Sequence, residues 1–218
     1  MSRDQAIPNF GEAYIAGVDE AGRGALAGPV VAAAVVLDPK LPIVGCADSK
    51  KLSADRREYL ADEIKERAQA WAIGSADSME IDRLNILNAT LLAMQRAIAA
   101  LAIKPHRVLI DGNRCPQSDI QCNAIIGGDD RVSCISAASI LAKTTRDRQM
   151  RMLARKYPLY RFAEHKGYAT RKHITALVNH GSCPLHRISW RKVQELVAQA
   201  SLPLNDMDDH NLAEPIGH

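Results

Sequence analysis

The sequence predicts an α/β protein, in which a mixed sheet is flanked by helices and followed by a helical C-terminal appendage. Short apolar or β-branched runs alternate with helical periodicity along the chain, as expected of a sheet covered by helices. The chain has 218 residues, of which 47% are hydrophobic and 24% charged, values typical of a globular protein. This length exceeds one domain of about 150 residues and leaves room for the appendage.

Five short apolar or β-branched runs predict the strands. They lie at residues 14–18, 30–37, 71–76, 107–110 and 123–126. A glycine-rich stretch at residues 22–28 separates the first two, which predicts neighbouring strands joined by a tight loop. The last two runs are followed by carboxylates, Asp111 in one case and Asp129 with Asp130 in the other. We therefore expect the chemistry-bearing residues at strand ends.

Recurring apolar positions predict the helices. Ser53 can cap a helix over residues 54–70, and a stripe at alternating spacings of four and three predicts another over residues 87–101. Further helices are expected over residues 133–156, 170–180 and 190–200. We expect a catalytic core at residues 1–156, a basic helical part of the same domain at 157–201 and a mobile acidic tail at 202–218.

The charge distribution suggests a polyanionic partner. Residues 140–192 hold thirteen Lys or Arg against two acids, a net charge of +11, whereas the whole chain carries only +3. Such a segment can attract a nucleic acid, and the alternative is a set of solvated helix faces. No apolar run approaches the ~20 residues of a membrane span, and the N-terminus lacks a signal-peptide stretch. We expect a cytoplasmic protein that does not enter a membrane.

The cysteines and histidines predict no soft-metal site. Five cysteines form no Cys-x-x-Cys pair, so neither a disulfide framework nor a zinc ribbon is indicated and we expect reduced thiols. Four histidines of the C-terminal part fit no standard metal-binding spacing. They are His165, His173, His180 and His186.

The densest chemical signal is the run from Asp19 to Gly24, DEAGRG, directly after the first predicted strand. Adjacent strand residues point to opposite faces, so Asp19 and Glu20 can converge only if the chain turns there. The glycines also allow an exposed charged turn. A phosphate-binding loop is disfavoured, because the Lys-Ser/Thr ending of a P-loop is missing and the glycine spacing differs from the dinucleotide motif by one residue.

Four acids could converge at the strand ends, namely Asp19, Glu20, Asp111 and either Asp129 or Asp130. Clustered carboxylates raise one another's pKa values unless a cation neutralises them. Oxygen ligands without Cys or His select Mg²⁺ or Mn²⁺. Two such ions can activate a water and stabilise the leaving oxygen of a phosphodiester. A two-metal nuclease is therefore one interpretation of this spacing.

Six ordered motifs resemble those of bacterial ribonuclease HII, over roughly residues 15–190. They are GVDEAGRG at 17–24 with GPV at 28–30, DSKKL at 48–52, IDGN at 110–113, SAASILAK at 136–143, RD at 146–147 and HKGY at 165–168. The resemblance implies a ribonuclease H-like fold. It also implies a monomeric endoribonuclease that uses two Mg²⁺ or Mn²⁺ ions. Its expected partners are RNA/DNA hybrids, and duplex DNA with single embedded ribonucleotides.

The resemblance also implies roles for individual residues. The metal-binding acids fall on Asp19, Glu20, Asp111 and Asp129, with Asp129 preferred over Asp130 because the family places a Gly-Asp pair shortly before its Ser-Ala-Ala-Ser helix. The residues expected to bind substrate are Gly22, Arg23, Gly24, Lys50, Lys143 and Tyr168. Asp147 is expected to be an ion-pair partner within the basic helix.

Two rival functions differ from this expectation. A four-carboxylate 3′ to 5′ exonuclease uses similar metals, but its first motif separates the acids by one residue, whereas Asp19 and Glu20 are contiguous. A non-catalytic nucleic-acid-binding module is supported by the basic segment alone, and it would bind a hybrid without turnover.

Overall fold

A five-stranded mixed sheet forms the centre of this computed structural model, which describes residues 14–46 and 52–200. The strand order is β3-β2-β1-β4-β5; β1, β2 and β3 are antiparallel neighbours, whereas β4 and β5 run parallel to β1. The strands are β1 (Ile15–Ala21), β2 (Val30–Val36), β3 (Ala70–Ala76), β4 (Arg107–Asp111) and β5 (Gln121–Ile125). The predicted mixed sheet is confirmed.

Helices cover the sheet and form the C-terminal part. They are α1 (Ala54–Arg67), α2 (Ser78–Leu84), α3 (Ile86–Ala99), α4 (Ser133–Lys156), α5 (Phe162–His165), α6 (Arg171–His180) and α7 (Arg191–Ala200). Two helices were not predicted from the sequence: α2, which starts at a capping box of Asp77 and Glu80, and the four-residue α5. Among the described residues, no helix is both long and apolar enough to span a bilayer.

Alternate residues of β1 contact different helices. Ala16 and Val18 pack in one apolar cluster with α3, whereas Ala21 packs in another with α1 and α4. Gly17 lies on the α4 side, where an added Cβ would come within 2.1 Å of the Cys134 carbonyl carbon. This close approach needs a glycine, and it places Asp19, two residues further along the strand, beside α4.

A third apolar cluster joins the C-terminal helices to the glycine loop, the name used below for residues 22–28. Leu26 and Ala27 of the loop pack there with Phe162, Leu177 and Leu196. The C-terminal part therefore supports the loop directly. The division at residue 156 remains a prediction, and the predicted tail at 202–218 lies outside the described residues.

One cysteine pair corrects the expectation of reduced thiols. Cys115 and Cys122 form a disulfide, although no motif in the sequence indicates it. The connection between β4 and β5 folds back on itself and brings the two Cα atoms within 6.1 Å. In the described part of the chain, Cys46, Cys134 and Cys183 are free thiols.

Candidate metal and substrate site

Three carboxylates from separate elements meet at one end of the sheet. Asp19 lies in β1, Asp111 ends the neighbouring parallel strand β4, and Asp129 lies in a 3-10 helix (Gly128–Asp130) that follows β5. One oxygen from each carboxylate lies within 4.8 Å of the others. These three residues are called the carboxylate cluster below. Asp130 is exposed and lies outside it.

Local hydrogen bonds hold the carboxylate cluster in place. The Gly128 amide donates to Asp111 Oδ1 at 2.8 Å, and the Ser136 hydroxyl of α4 donates to the Asp129 carbonyl. Gly127 precedes this turn in the left-handed region, with φ of 65°. These hydrogen bonds join β4, the 3-10 helix and α4, and they fix two of the three acids before any ligand binds.

Burial makes the site electrostatically costly. Asp19 is only 5% exposed, and this burial, reinforced by the charges of Glu20 and Asp111, raises its pKa to about 8 against the hydrogen bond from Ser139. Burial also raises the pKa of Glu20, although Arg23 opposes the shift through an ion pair at 3.1 Å. The site holds more negative charge than its protein donors compensate.

Glu20 does not join the carboxylate cluster among the described residues. Strand β1 continues through Ala21, so the turn that would bring Glu20 beside Asp19 does not occur at that point. Its Oε1 contacts Arg23, whereas Oε2 is buried and accepts no hydrogen bond from any described residue. A buried carboxylate oxygen without a donor is costly, and a cation can compensate it.

The donor set fits a hard divalent cation. Every ligand atom in the carboxylate cluster is a carboxylate oxygen, with no histidine or cysteine among them. Such a set suits Mg²⁺ or Mn²⁺ rather than Zn²⁺ or Cu²⁺. Asp19, Asp111 and Asp129 can hold the ion, and the buried Oε2 of Glu20 offers a further ligand close by.

An open pocket of about 440 Å³ adjoins the site at Glu20 and at Ser139, which hydrogen-bonds Asp19. Six of the residues predicted to act in the site line it: Glu20, Gly22, Arg23, Gly24, Lys143 and Tyr168. Arg57 and Ser139 also line it, although the sequence analysis did not select them. Lys50 lies outside the described residues. One pocket thus combines positive side chains, glycine backbone and an aromatic ring beside the buried acids.

Two buried arginines support the glycine loop from behind. Arg146 donates to the carbonyls of Pro29 and Ala27, at 2.9 and 3.2 Å, and Arg187 donates to those of Gly22, Arg23 and Gly28. Both are 0% exposed. In the sequence both belong to the basic segment, because an arginine that binds backbone carbonyls cannot be told there from one on the surface.

Ion pairs occupy much of the predicted basic segment. Arg148 and Arg151 of α4 both contact Glu58 of α1, and Lys143 contacts Asp147 at 2.9 Å, as expected for Asp147. Arg161 and Lys172 share Glu164, and Arg191 pairs with Glu195. The net charge of the segment therefore overstates the positive surface that it offers to a polyanion.

Tyr168 is held by a group of buried histidines that sequence spacing did not reveal. Its amide donates to the His165 carbonyl at 3.0 Å, and its carbonyl lies 3.0 Å from His173 Nδ1. His173 Nε2 in turn lies 3.1 Å from His186 Nε2. Lys143 and Arg146 lie near the Tyr168 ring, at 5.5 and 5.2 Å from its centroid. These histidines are structural, and they fix the backbone on which the ring is mounted.

The hydrogen bonds define how these histidines are protonated. His186 Nδ1 accepts from the Cys183 amide at 2.9 Å, so its proton sits on Nε2 and is donated to His173 Nε2. His173 then donates through Nδ1 to the Tyr168 carbonyl. Burial lowers the pKa of His173 and of His186 to about 4, which keeps both rings neutral at physiological pH.

Comparison with known proteins agrees with this geometry. The chain matches the family "Ribonuclease HII" over residues 16–193. It is 58% identical to ribonuclease HII of Thiobacillus denitrificans over 194 residues, covering 89% of this chain and 95% of that protein. It is 59% identical to ribonuclease HII of Dechloromonas aromatica over 179 residues, covering 82% and 91%.

The fold is similar to that of a solved relative. Ribonuclease H2 from Pyrococcus horikoshii superposes with a TM-score of 0.72 at 28% sequence identity, covering 85% of this chain and 98% of that one. Sequence and fold therefore agree, and the chain belongs to the ribonuclease HII family of metal-dependent endoribonucleases that act on RNA/DNA hybrids.

Proposed function

We propose that this ribonuclease incises duplex DNA at single embedded ribonucleotides, as well as cleaving the RNA strand of hybrids, by two-metal-ion hydrolysis. The products would carry 3′-hydroxyl and 5′-phosphate ends. The observation that carries the proposal is the position of the carboxylate cluster beside a pocket lined by the glycine loop and Tyr168. Metal ligands and a sugar-recognition surface can then act on the same nucleotide.

Asp19, Asp111 and Asp129 would hold the two divalent ions, with Glu20 Oε2 as a further ligand. When bound, such ions activate a water and stabilise the leaving oxygen. The chain orients the carboxylates in advance, through the Gly128 amide on Asp111 and the Ser139 hydroxyl on Asp19. Lys143 of α4 and Arg23 line the adjoining pocket and would contact the phosphates of the cleaved strand, with Lys50 as a further contact.

Recognition of one ribonucleotide depends on its 2′-hydroxyl, which both donates and accepts a hydrogen bond. Gly22 and Gly24 allow the backbone to approach the sugar closely, and no described atom lies within 4 Å of a Cβ built on Gly24. Backbone groups there would bond the hydroxyl. The Tyr168 ring would pack against the adjacent deoxyribose. We further propose that the enzyme acts as a monomer in the cytoplasm.

The test is incubation with duplex DNA that contains one ribonucleotide, with and without Mg²⁺, followed by analysis of the product ends. We expect metal-dependent incision at the ribonucleotide and none in an all-DNA duplex. A closed circular substrate serves as a control, because only an endonuclease can nick it. Cleavage of continuous hybrids without incision at the single ribonucleotide would contradict the proposal.

A further inference from the structure

Arg187 lies between α6 and α7 and is fully buried, at 0% exposure. An arginine is almost never buried to this extent unless its donors are satisfied. Its Nη1 donates to the Arg23 carbonyl at 2.7 Å, and its Nη2 donates to the carbonyls of Gly22 and Gly28 at 2.6 and 3.0 Å. One guanidinium therefore binds both ends of the glycine loop.

These bonds determine where the neighbouring amides point. In a planar trans peptide, the C=O of one residue and the N–H of the next are antiparallel. Because the Gly22 carbonyl points to Arg187, the Arg23 N–H points away from it, and the Arg23 carbonyl has the same effect on the Gly24 N–H. Both amides are therefore directed away from the buried guanidinium.

The same two amides belong to residues that line the pocket. Gly22, Arg23 and Gly24 line the pocket beside Glu20 and Tyr168. Within the described residues, neither the Arg23 amide nor the Gly24 amide donates a hydrogen bond. Two adjacent N–H groups held in one direction form a small concave donor site that suits an oxygen ligand.

The geometry requires a guanidinium rather than any positive charge. Arg187 reaches three carbonyls through a planar fork, which a lysine ammonium cannot reproduce. The guanidinium also lies 4.9 Å from the centroid of Trp190, and the Arg187 amide donates to the Leu26 carbonyl at 3.0 Å. Burial lowers the pKa of Arg187 to about 9, so the side chain remains charged at neutral pH.

We propose that Arg187 is a positioning residue for ribonucleotide recognition, which fixes the Arg23 and Gly24 amides as donors to the 2′-hydroxyl and adjacent phosphate. This inference rests on the proposed incision at single ribonucleotides. Arg187 acts entirely through the backbone that it holds.

The experiment compares the affinity for a duplex with one ribonucleotide with that for the all-DNA duplex of the same sequence. Both are measured without divalent ions, so that no cleavage occurs. Wild type should prefer the ribonucleotide, and Arg187→Lys should lower this preference by about tenfold while binding the all-DNA duplex almost as well. Trp190→Leu, a milder change that leaves Arg187 in place, should lower the preference by about threefold.

Met94→Ala is the control for lost stability, because Met94 of α3 is buried in the apolar cluster with Ala16 and Val18, which contains no residue of the glycine loop. It should reduce thermal stability and leave the preference unchanged. If Arg187→Lys and Trp190→Leu keep the full preference of a discriminating wild type, the inference is wrong and the proposed function stands. If wild type itself shows no preference, the inference is overturned, whereas the proposed function is decided by the incision assay alone. If Arg187→Lys does not fold, the result for Trp190→Leu decides.

Discussion

Strand β1 contributes Asp19 to the carboxylate cluster and leads directly into the glycine loop, but the two regions differ in how their buried oxygen atoms are compensated. In the cluster, buried acceptors face one another, and burial with neighbouring negative charge raises the pKa of Asp19 to about 8. In the loop, carbonyls of Gly22, Arg23 and Gly28 all accept hydrogen bonds from Arg187. The cluster is thus poised to gain a cation, whereas the loop is already rigid before substrate binds.

This difference separates the expected effects of substitution. Neutralising an acid in the cluster should remove activity and leave the fold intact or more stable. A substitution in the glycine loop should reduce both activity and stability. The exception is a position where an added side-chain atom has open space, at which only activity should fall. Four substitution experiments test this contrast.

The largest effect is expected for Asp111→Asn, which should reduce metal-dependent cleavage more than about a hundredfold. The asparagine side chain keeps an oxygen that can accept the hydrogen bond from Gly128, but it lacks the negative charge of the proposed metal ligand. Single-turnover cleavage measures the loss, and thermal unfolding should show a nearly unchanged midpoint. Substantial Mg²⁺-dependent activity in this variant would show that Asp111 is not required as a metal ligand.

Gly22→Ala and Gly24→Ala should separate the two sides of the glycine loop. At Gly22, φ is +97° and an added Cβ would lie 2.0 Å from Arg146 Nε, so we expect unfolding to become easier by about 2 kcal/mol or more. At Gly24 the added Cβ meets no described atom. That variant should keep its melting temperature but incise a single ribonucleotide about tenfold more slowly. Equal melting temperatures for the two variants would contradict the predicted difference between the two sides of the loop.

Asp19→Asn should make the metal-free protein more stable at neutral pH, by about 1–3 kcal/mol, because folding of wild type must either bury this charge or protonate a carboxyl whose pKa rises to about 8, and the amide avoids that cost. Thermal unfolding in a chelator measures this gain. Adding Mg²⁺ should then raise the melting temperature of wild type and have little effect on the variant. A less stable Asp19→Asn protein in the chelator would mean that the cluster is not under repulsion.

The smallest effect concerns phosphate contacts along α4. Lys143 lines the pocket although it pairs with Asp147, whereas Arg148 pairs with Glu58 and is not among the lining residues. We expect Lys143→Gln to reduce the slope of log affinity against log salt by about 0.9, and Arg148→Gln to leave it nearly unchanged. Equal changes would show that the basic helix as a whole binds the duplex, as its net charge alone suggests.

Most of the fold, and the strand ends at which the carboxylate cluster lies, could be predicted from the sequence, because the features concerned are local. Strands and helices follow from apolar periodicity, and Asp111 and Asp129 lie just where predicted strands end. The convergence of Glu20 with Asp19 depended on a turn, and β1 instead continues to Ala21.

What the sequence did not predict depends on contacts that exist only in the folded chain. Arg187 contacts Gly22 across 165 positions of the sequence. His173 of α6 contacts His186, which lies in the segment between α6 and α7. A buried arginine and a surface arginine have the same side chain, so only its surroundings show that Arg187 belongs to the loop. The same holds for the disulfide between Cys115 and Cys122, whose spacing matches no recognised motif.

The most direct test of the central claim compares Asp129→Asn with Asp130→Asn in the incision of a duplex with one ribonucleotide. The two residues are adjacent, but Asp129 is buried in the carboxylate cluster and Asp130 is exposed. We predict that Asp129→Asn loses more than about a hundredfold in rate, and that Asp130→Asn stays within about threefold of wild type. A damaging Asp130→Asn change with an active Asp129→Asn protein would contradict the account.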